Sequence, residues 1–239
     1  MALSGSQIAM IRFAEAAVMI AAVTMSALAT SWSMSLLYFT IQSNVIGIAV
    51  LIWGGLNAVS GRTIAACPRL SFIATISLLL TAIVFWGLLA PFMKVDLLTF
   101  PNLTEHLFGP IFIIVDRLKF YMGHAPSGKG PLIALVHPLL YMAIVMPVGI
   151  CQLVRFPYGW FPYPFLDVTS YGPIVFVFIA ILALVIVILA VLWSRLERRR
   201  LHDSVLRSLT RRRRSPAVSA SFPYPIPSRT VPSINLPSI

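Results

Sequence analysis

Thr40, Ser43, Asn44, Gly47, Leu51, Gly54 and Gly55 fall on one face of an otherwise apolar stretch when plotted at 100° per residue. Polar side chains in an apolar helix are costly in lipid and usually turn toward the interior of a bundle. A second concentration, Glu105, His106 and Asp116, surrounds Pro110. Proline has no N–H, so the carbonyl four residues earlier, that of His106, loses its helical partner. A histidine beside a freed carbonyl makes a polar site, and neutral histidine can accept a proton and return it. Each group also has a plainer reading. The first is a helix-packing seam, in which small residues allow close approach and hydroxyls bond backbone carbonyls. The second is an interfacial histidine in contact with water and headgroups.

The elements that must position these residues are apolar runs, approximately Ile8–Ala29, Leu36–Val59, Leu70–Phe92, Leu103–Tyr121, Leu132–Val154 and Tyr171–Trp193. A helix of ~20 residues crosses the ~30 Å hydrocarbon core. Only helices and closed barrels satisfy their backbone there, and no run alternates as a barrel strand does. Of the residues, 59% are hydrophobic and 10% charged, against about 25% charged in soluble domains. The expected fold is all-α: a polytopic membrane protein with six transmembrane helices in one bundle. The first run imitates a signal peptide, with Arg12, an apolar stretch and Ala27-Leu28-Ala29. Glu15 interrupts it and it is long enough to span, so retention is expected.

Charge sets the orientation. With six spans, 16 of the 18 lysines and arginines share one side, and only Lys94 and Arg155 lie on the other. The positive-inside rule therefore puts both termini in the cytosol. Residues 1–193 read as the bundle and 194–239 as a basic, Pro/Ser-rich tail. Within the tail, Arg195–Leu209 is expected to extend the last helix, and the rest to be disordered. A juxtamembrane basic cluster suits anionic lipid headgroups, and no nucleic-acid partner is expected. No spacing suits zinc, and neither a metal nor a cofactor is expected.

Topology then sets depth. The second and fourth runs both enter from the outer face, and Thr40 and His106 each lie about one turn below a start. At ~1.5 Å per residue, both side chains sit ~5–8 Å deep on the same side. His137 starts the fifth run from the cytosolic face, so only His106 is expected level with Thr40. The loop Phe156–Asp167 is on their side.

Three segments together resemble the androgen-induced membrane hydrolase family, and most closely its bacterial integral-membrane branch. Tyr38-Phe39-Thr40-Ile41-Gln42-Ser43-Asn44 resembles the family's second-helix motif. Asn102-Leu103-Thr104-Glu105-His106, followed by Pro110 and Asp116, resembles its histidine motif. Tyr163-Pro164-Phe165-Leu166-Asp167 resembles the segment before its last helix. The resemblance covers roughly residues 8–193. Leu103 and Leu107 stand where the animal members have a further histidine and a threonine.

The resemblance implies a threonine hydrolase; animal members cleave esters that join a fatty acid to a hydroxy fatty acid. Carried over, Thr40 is the nucleophile and His106 its partner. A threonine hydroxyl needs a base within ~3 Å, and a site below the headgroups receives a lipid ester sideways from the bilayer. Asn44, one turn below Thr40, is a candidate donor to an oxyanion. Asp167 is a candidate to orient the imidazole, and Tyr163 is within reach. The expected partners are membrane lipids and an acyl-ester substrate from the bilayer. The expected location is the plasma membrane of a bacterium, or an endomembrane or plasma membrane of a eukaryote. The alternatives are a small-solute transporter or channel lined by the Thr40–Asn44 face, and a scaffold or sensor acting through the tail.

Overall fold

The computed structural model describes residues 3–92, 96–121 and 123–214, and among them there is helix and no strand. The first helix, α1, runs Gly5–Ala29. Ser4 starts it with a capping box, its hydroxyl accepting from the Gln7 N–H while the Gln7 side chain returns to the Ser4 N–H. A short turn, α2 (Trp32–Ser35), leads into α3 (Phe39–Val59). α4 (Pro68–Val84) continues through a π-helical turn, Phe85–Leu89. α5 (Phe100–Leu103), a second π turn (Thr104–Phe108) and α6 (Gly109–Phe120) follow one another without a break. A 3-10 segment, Gly130–Leu135, starts α7 (Val136–Ile150). Last come α8 (Val168–Tyr171) and α9 (Ile174–Arg214).

Among the described residues, five helices are long and apolar enough to cross a membrane: Gly5–Ala29, Phe39–Val59, Pro68–Leu89, Gly130–Ile150 and Ile174–Arg207. That is the make-up of a multi-pass membrane protein. The run Leu103–Tyr121, expected as a further span, is not among the five. It is helical from Phe100 to Phe120, but a π turn interrupts it and it carries Glu105, Asp116, Arg117 and Lys119. The apolar first part of α9 exposes Phe176, Val177, Ile181, Leu184 and Ile188, as a helix facing lipid does.

The face expected on α3 is buried: Ser43, Asn44, Gly47, Leu51, Gly54 and Gly55 all lie inside. Its glycines admit neighbours closely. A Cβ on Gly54 would stand 2.6 Å from the Arg12 guanidinium, and one on Gly55 2.6 Å from the Phe13 ring. α1 therefore packs along α3 where small residues recur, the usual route to close contact between membrane helices.

Two ion pairs close the end of the bundle opposite Thr40. Arg12 of α1 meets Asp116 of α6 at 2.6 Å, and Arg117 of α6 meets Glu197 of α9 at 2.6 Å. The guanidiniums also donate to the carbonyls of Ile64 and Pro68, and Trp193 donates to Glu197. Two of the arginines that set the charge asymmetry are thus buried and neutralised. Glu197 lies past the boundary expected at residue 193 and is buried against Arg117. The chain divides into two compact units, Met1–His202 and Asp203–Ile239. Helix continues to Arg214, past the expected Leu209; the disorder expected beyond it falls on residues 215–239, outside the described residues.

Candidate functional site

Thr40 sits in the first turn of α3, where backbone N–H groups have no helical acceptor. His106 lies in the π turn Thr104–Phe108. The turn follows from Pro110. With no N–H at 110, an ordinary helical bond to the His106 carbonyl cannot form, and Gly109 N–H reaches back five residues to Thr104. Side chains from other helices cap the displaced carbonyls. Trp86 Nε1 donates to the His106 carbonyl at 3.1 Å, and Asn44 Nδ2 donates to that of Glu105 at 3.1 Å. The other π turn supplies Phe85, whose ring stacks on the imidazole with centroids 3.6 Å apart and planes at 19°.

The imidazole is held at both nitrogens. Nδ1 lies 3.0 Å from the Asn102 carbonyl. A carbonyl only accepts, so Nδ1 carries the proton and Nε2 presents its lone pair. Nε2 faces the Thr40 hydroxyl at 3.4 Å. On the other side of that hydroxyl is the Tyr163 phenol, 3.3 Å away and also 3.4 Å from the Thr40 backbone N–H. These hydrogen bonds can run in one direction: Tyr163 O–H to Thr40 Oγ1, Thr40 O–H to His106 Nε2, His106 Nδ1–H to the Asn102 carbonyl. Both spacings at the Thr40 hydroxyl, 3.3 and 3.4 Å, are long for hydrogen bonds.

The other expected residues stand differently. Asn44 cannot serve as the oxyanion donor expected of it. Its Nδ2 donates to the carbonyls of Thr40 (2.9 Å) and Glu105 (3.1 Å), which uses both hydrogens. It braces the turn that holds Thr40 against the turn that holds His106. Asp167 does not orient the imidazole. Its carboxylate caps α8, accepting from the backbone and hydroxyls of Thr169 and Ser170. Burial pushes the Asp167 carboxyl up, but the hydrogen bonds from Ser170 and Thr169 outweigh it and hold it below its ordinary value. The Asn102 carbonyl occupies the position expected of Asp167.

Sequence reasoning also left His137 too far away. His137 follows the 3-10 segment ahead of α7 and stacks on Phe39, with ring centroids 4.6 Å apart. Nε2 meets Gln42 Oε1 at 3.3 Å and Nδ1 meets Ser77 Oγ at 2.9 Å. Neither Ser77 nor His137 lines either of the two main cavities.

Those two cavities both reach Thr40. The larger, about 850 Å³, is lined by Thr40, His106, Glu105, Ser26, Tyr38 and Tyr163, among others. The smaller, about 90 Å³, runs between α4, α7 and α9 and is lined by Leu80, Val84, Leu139, Met142 and Ile186. Thr40 and Tyr163 belong to both walls. The loop that carries Tyr163 is anchored by Phe161, whose ring fills the space beside Gly149 of α7.

No family model matches the chain, and neither a curated protein nor a solved structure matches it.

Proposed function

We propose that the protein is a membrane-embedded hydrolase of lipid-type acyl esters, with Thr40 as nucleophile and His106 as its general base. The observation that carries this reading is the hydrogen-bonded series Tyr163–Thr40–His106–Asn102 on the wall between two cavities. The resemblance of three sequence segments to a threonine hydrolase family supports it. In this reading the chain crosses the membrane six times, with both termini cytosolic and the site near the outer leaflet.

His106 Nε2 takes the hydroxyl proton as Thr40 Oγ1 bonds to the ester carbonyl carbon. The negative charge that develops on the carbonyl oxygen draws on the Tyr163 phenol and the N-terminal turn of α3. Collapse of the tetrahedral intermediate breaks the bond to the alcohol oxygen, which takes the proton from Nε2. Water, deprotonated by the same nitrogen, then releases the acid and regenerates Thr40. The small apolar cavity takes the acyl chain.

Purified protein is incubated with a long-chain acyl ester and with a fluorophosphonate probe. Hydrolysis and labelling of Thr40 are expected. Thr40→Ala abolishes both, and His106→Ala lowers turnover at least ~100-fold. Labelling that persists in Thr40→Ala moves the nucleophile elsewhere. Folded protein inert toward every acyl ester ends the reading. Topology is checked by cysteine labelling: single cysteines in the Phe156–Asp167 loop react from outside, and those in the Gly123–Gly130 loop do not.

A further inference from the structure

Five buried side-chain polar atoms have no hydrogen-bond partner among the described residues: Asn44 Oδ1, Ser71 Oγ, Thr104 Oγ1, the Tyr141 phenol and Ser194 Oγ. Of these residues, only Tyr141 lines either of the two main cavities. It belongs to the wall of the smaller one, together with Thr40 and Tyr163. Its side chain comes from α7, one turn beyond His137, and is 4% exposed. The ring packs edge-on against that of Phe39, the residue before Thr40, with centroids 5.2 Å apart. The phenol is close enough to the Phe39 backbone and the Tyr163 phenol to feel both, yet it completes a hydrogen bond with neither. A buried donor without a partner is costly and calls for an explanation.

Tyr141 lies beside the start of α3. Tyr38, the N-cap residue, makes no capping hydrogen bond with its side chain. The Gln42 N–H is the one that reaches back to the Tyr38 carbonyl. The N–H groups of Phe39, Thr40 and Ile41 therefore have no acceptor inside the helix. That of Thr40 has only the Tyr163 phenol, at 3.4 Å. A helix start left open in this way favours negative charge.

We infer that Tyr141 is a second oxyanion donor, its phenol and that of Tyr163 sharing the carbonyl oxygen of the ester at the start of α3. As Thr40 Oγ1 bonds to the carbonyl carbon, the π pair of the carbonyl moves onto its oxygen; it returns when the alcohol leaves. In the resting series the Tyr163 hydrogen goes to Thr40 Oγ1, so that donor must turn. The Tyr141 hydrogen has no bond to break. A donor already free and in place stabilises the charge as it develops, without reorganisation. Asn44 cannot take this part, because both its hydrogens are committed to carbonyls. Since Tyr141 lines the small cavity and not the large one, the carbonyl oxygen sits on the small-cavity side of Thr40. The inference rests on the hydrolase reading above and concerns how its first intermediate is stabilised.

The test compares full-length wild type and Tyr141→Phe in methyl oleate hydrolysis, thermal melts and fluorophosphonate labelling of Thr40. A long-chain trifluoromethyl ketone, whose adduct with Thr40 carries an oxyanion, is the second probe. The expected kcat is at least ~10-fold lower in the variant, with KM within about twofold, as for an interaction made only in the transition state. The inhibition constant of the ketone should rise by a similar factor. The melting temperature should be unchanged or higher, because the hydroxyl removed has no partner to lose. A structural phenol gives the opposite pattern. A variant that melts lower or does not fold therefore overturns the inference. So does an unchanged kcat, a change confined to KM, or a ketone that binds both proteins equally; each leaves the hydrolase reading standing. Wild type that neither hydrolyses the ester nor takes the label at Thr40 overturns both.

Discussion

The Trp86 indole donates to the His106 carbonyl at 3.1 Å, the carbonyl that Pro110 leaves without its ordinary helical partner. The π turn bearing the histidine is therefore held from outside, by a side chain beyond the end of α4. Phe85, beside Trp86, stacks on the imidazole of the same residue.

Replacing Trp86 by Phe keeps an aromatic ring and removes the donor. An unpaired buried carbonyl costs about 1–3 kcal/mol, so the midpoint of unfolding should fall. The catalytic effect should exceed the stability effect, because the turn that aims Nε2 is loosened. Turnover at a temperature where the variant is fully folded separates the two; undiminished turnover there removes Trp86 from the positioning of His106.

Gly149→Ala should disturb the site from a distance. A Cβ at Gly149 would lie 2.2 Å from the Phe161 ring, an overlap that must displace Phe161 or α7. Overpacking of this kind typically costs about 1–3 kcal/mol. Because Tyr163 is two residues from Phe161, hydrolysis should fall more than the melting temperature implies. Tyr163→Phe provides the comparison, with an expected loss of about 100-fold in kcat if the phenol stabilises the oxyanion.

The position of a C-terminal truncation should decide whether the bundle survives. A chain ending at Trp193 loses Glu197 and leaves Arg117 buried without its carboxylate. Breaking a buried pair in this way costs about 3–5 kcal/mol. A chain ending at His202 keeps the pair and should remain folded, with a melting temperature close to that of the full protein. Equal stability of the two truncations would contradict a structural role for Glu197.

Asp167→Ala should behave as loss of a helix cap, not as loss of a catalytic acid. Caps of this type contribute about 0.5–2 kcal/mol, and partial exposure puts Asp167 toward the low end. The folded carboxyl is held below its ordinary value. Its stabilisation is therefore present above the unfolded pKa and is lost as pH falls through the folded one. Thermal melts of wild type and Asp167→Ala should differ near neutral pH and converge in acid. A collapse of turnover comparable to that of His106→Ala would return Asp167 to the catalytic series.

Helical content, the apolar segments and the buried face of α3 were legible in the sequence. Each depends on local periodicity and on the cost of an unpaired backbone in lipid, which act within one segment. The freed carbonyl at His106 was legible for the same reason: proline lacks a donor wherever it stands. Which groups answered those demands was decided only in three dimensions. Trp86 reaches His106 across 20 residues, Tyr163 reaches Thr40 across 123, and Asp116 pairs with Arg12 across 104. Asn44 and Asp167 were reasonable donors and acceptors by type, yet nearer backbone and hydroxyl partners took their capacity. His137, placed by the packing of α7 against α3 and α4, stacks on Phe39 and meets Gln42 and Ser77. A side chain's chemistry is a property of its residue type. Its partner is set by the packing of whole helices, which no single segment encodes.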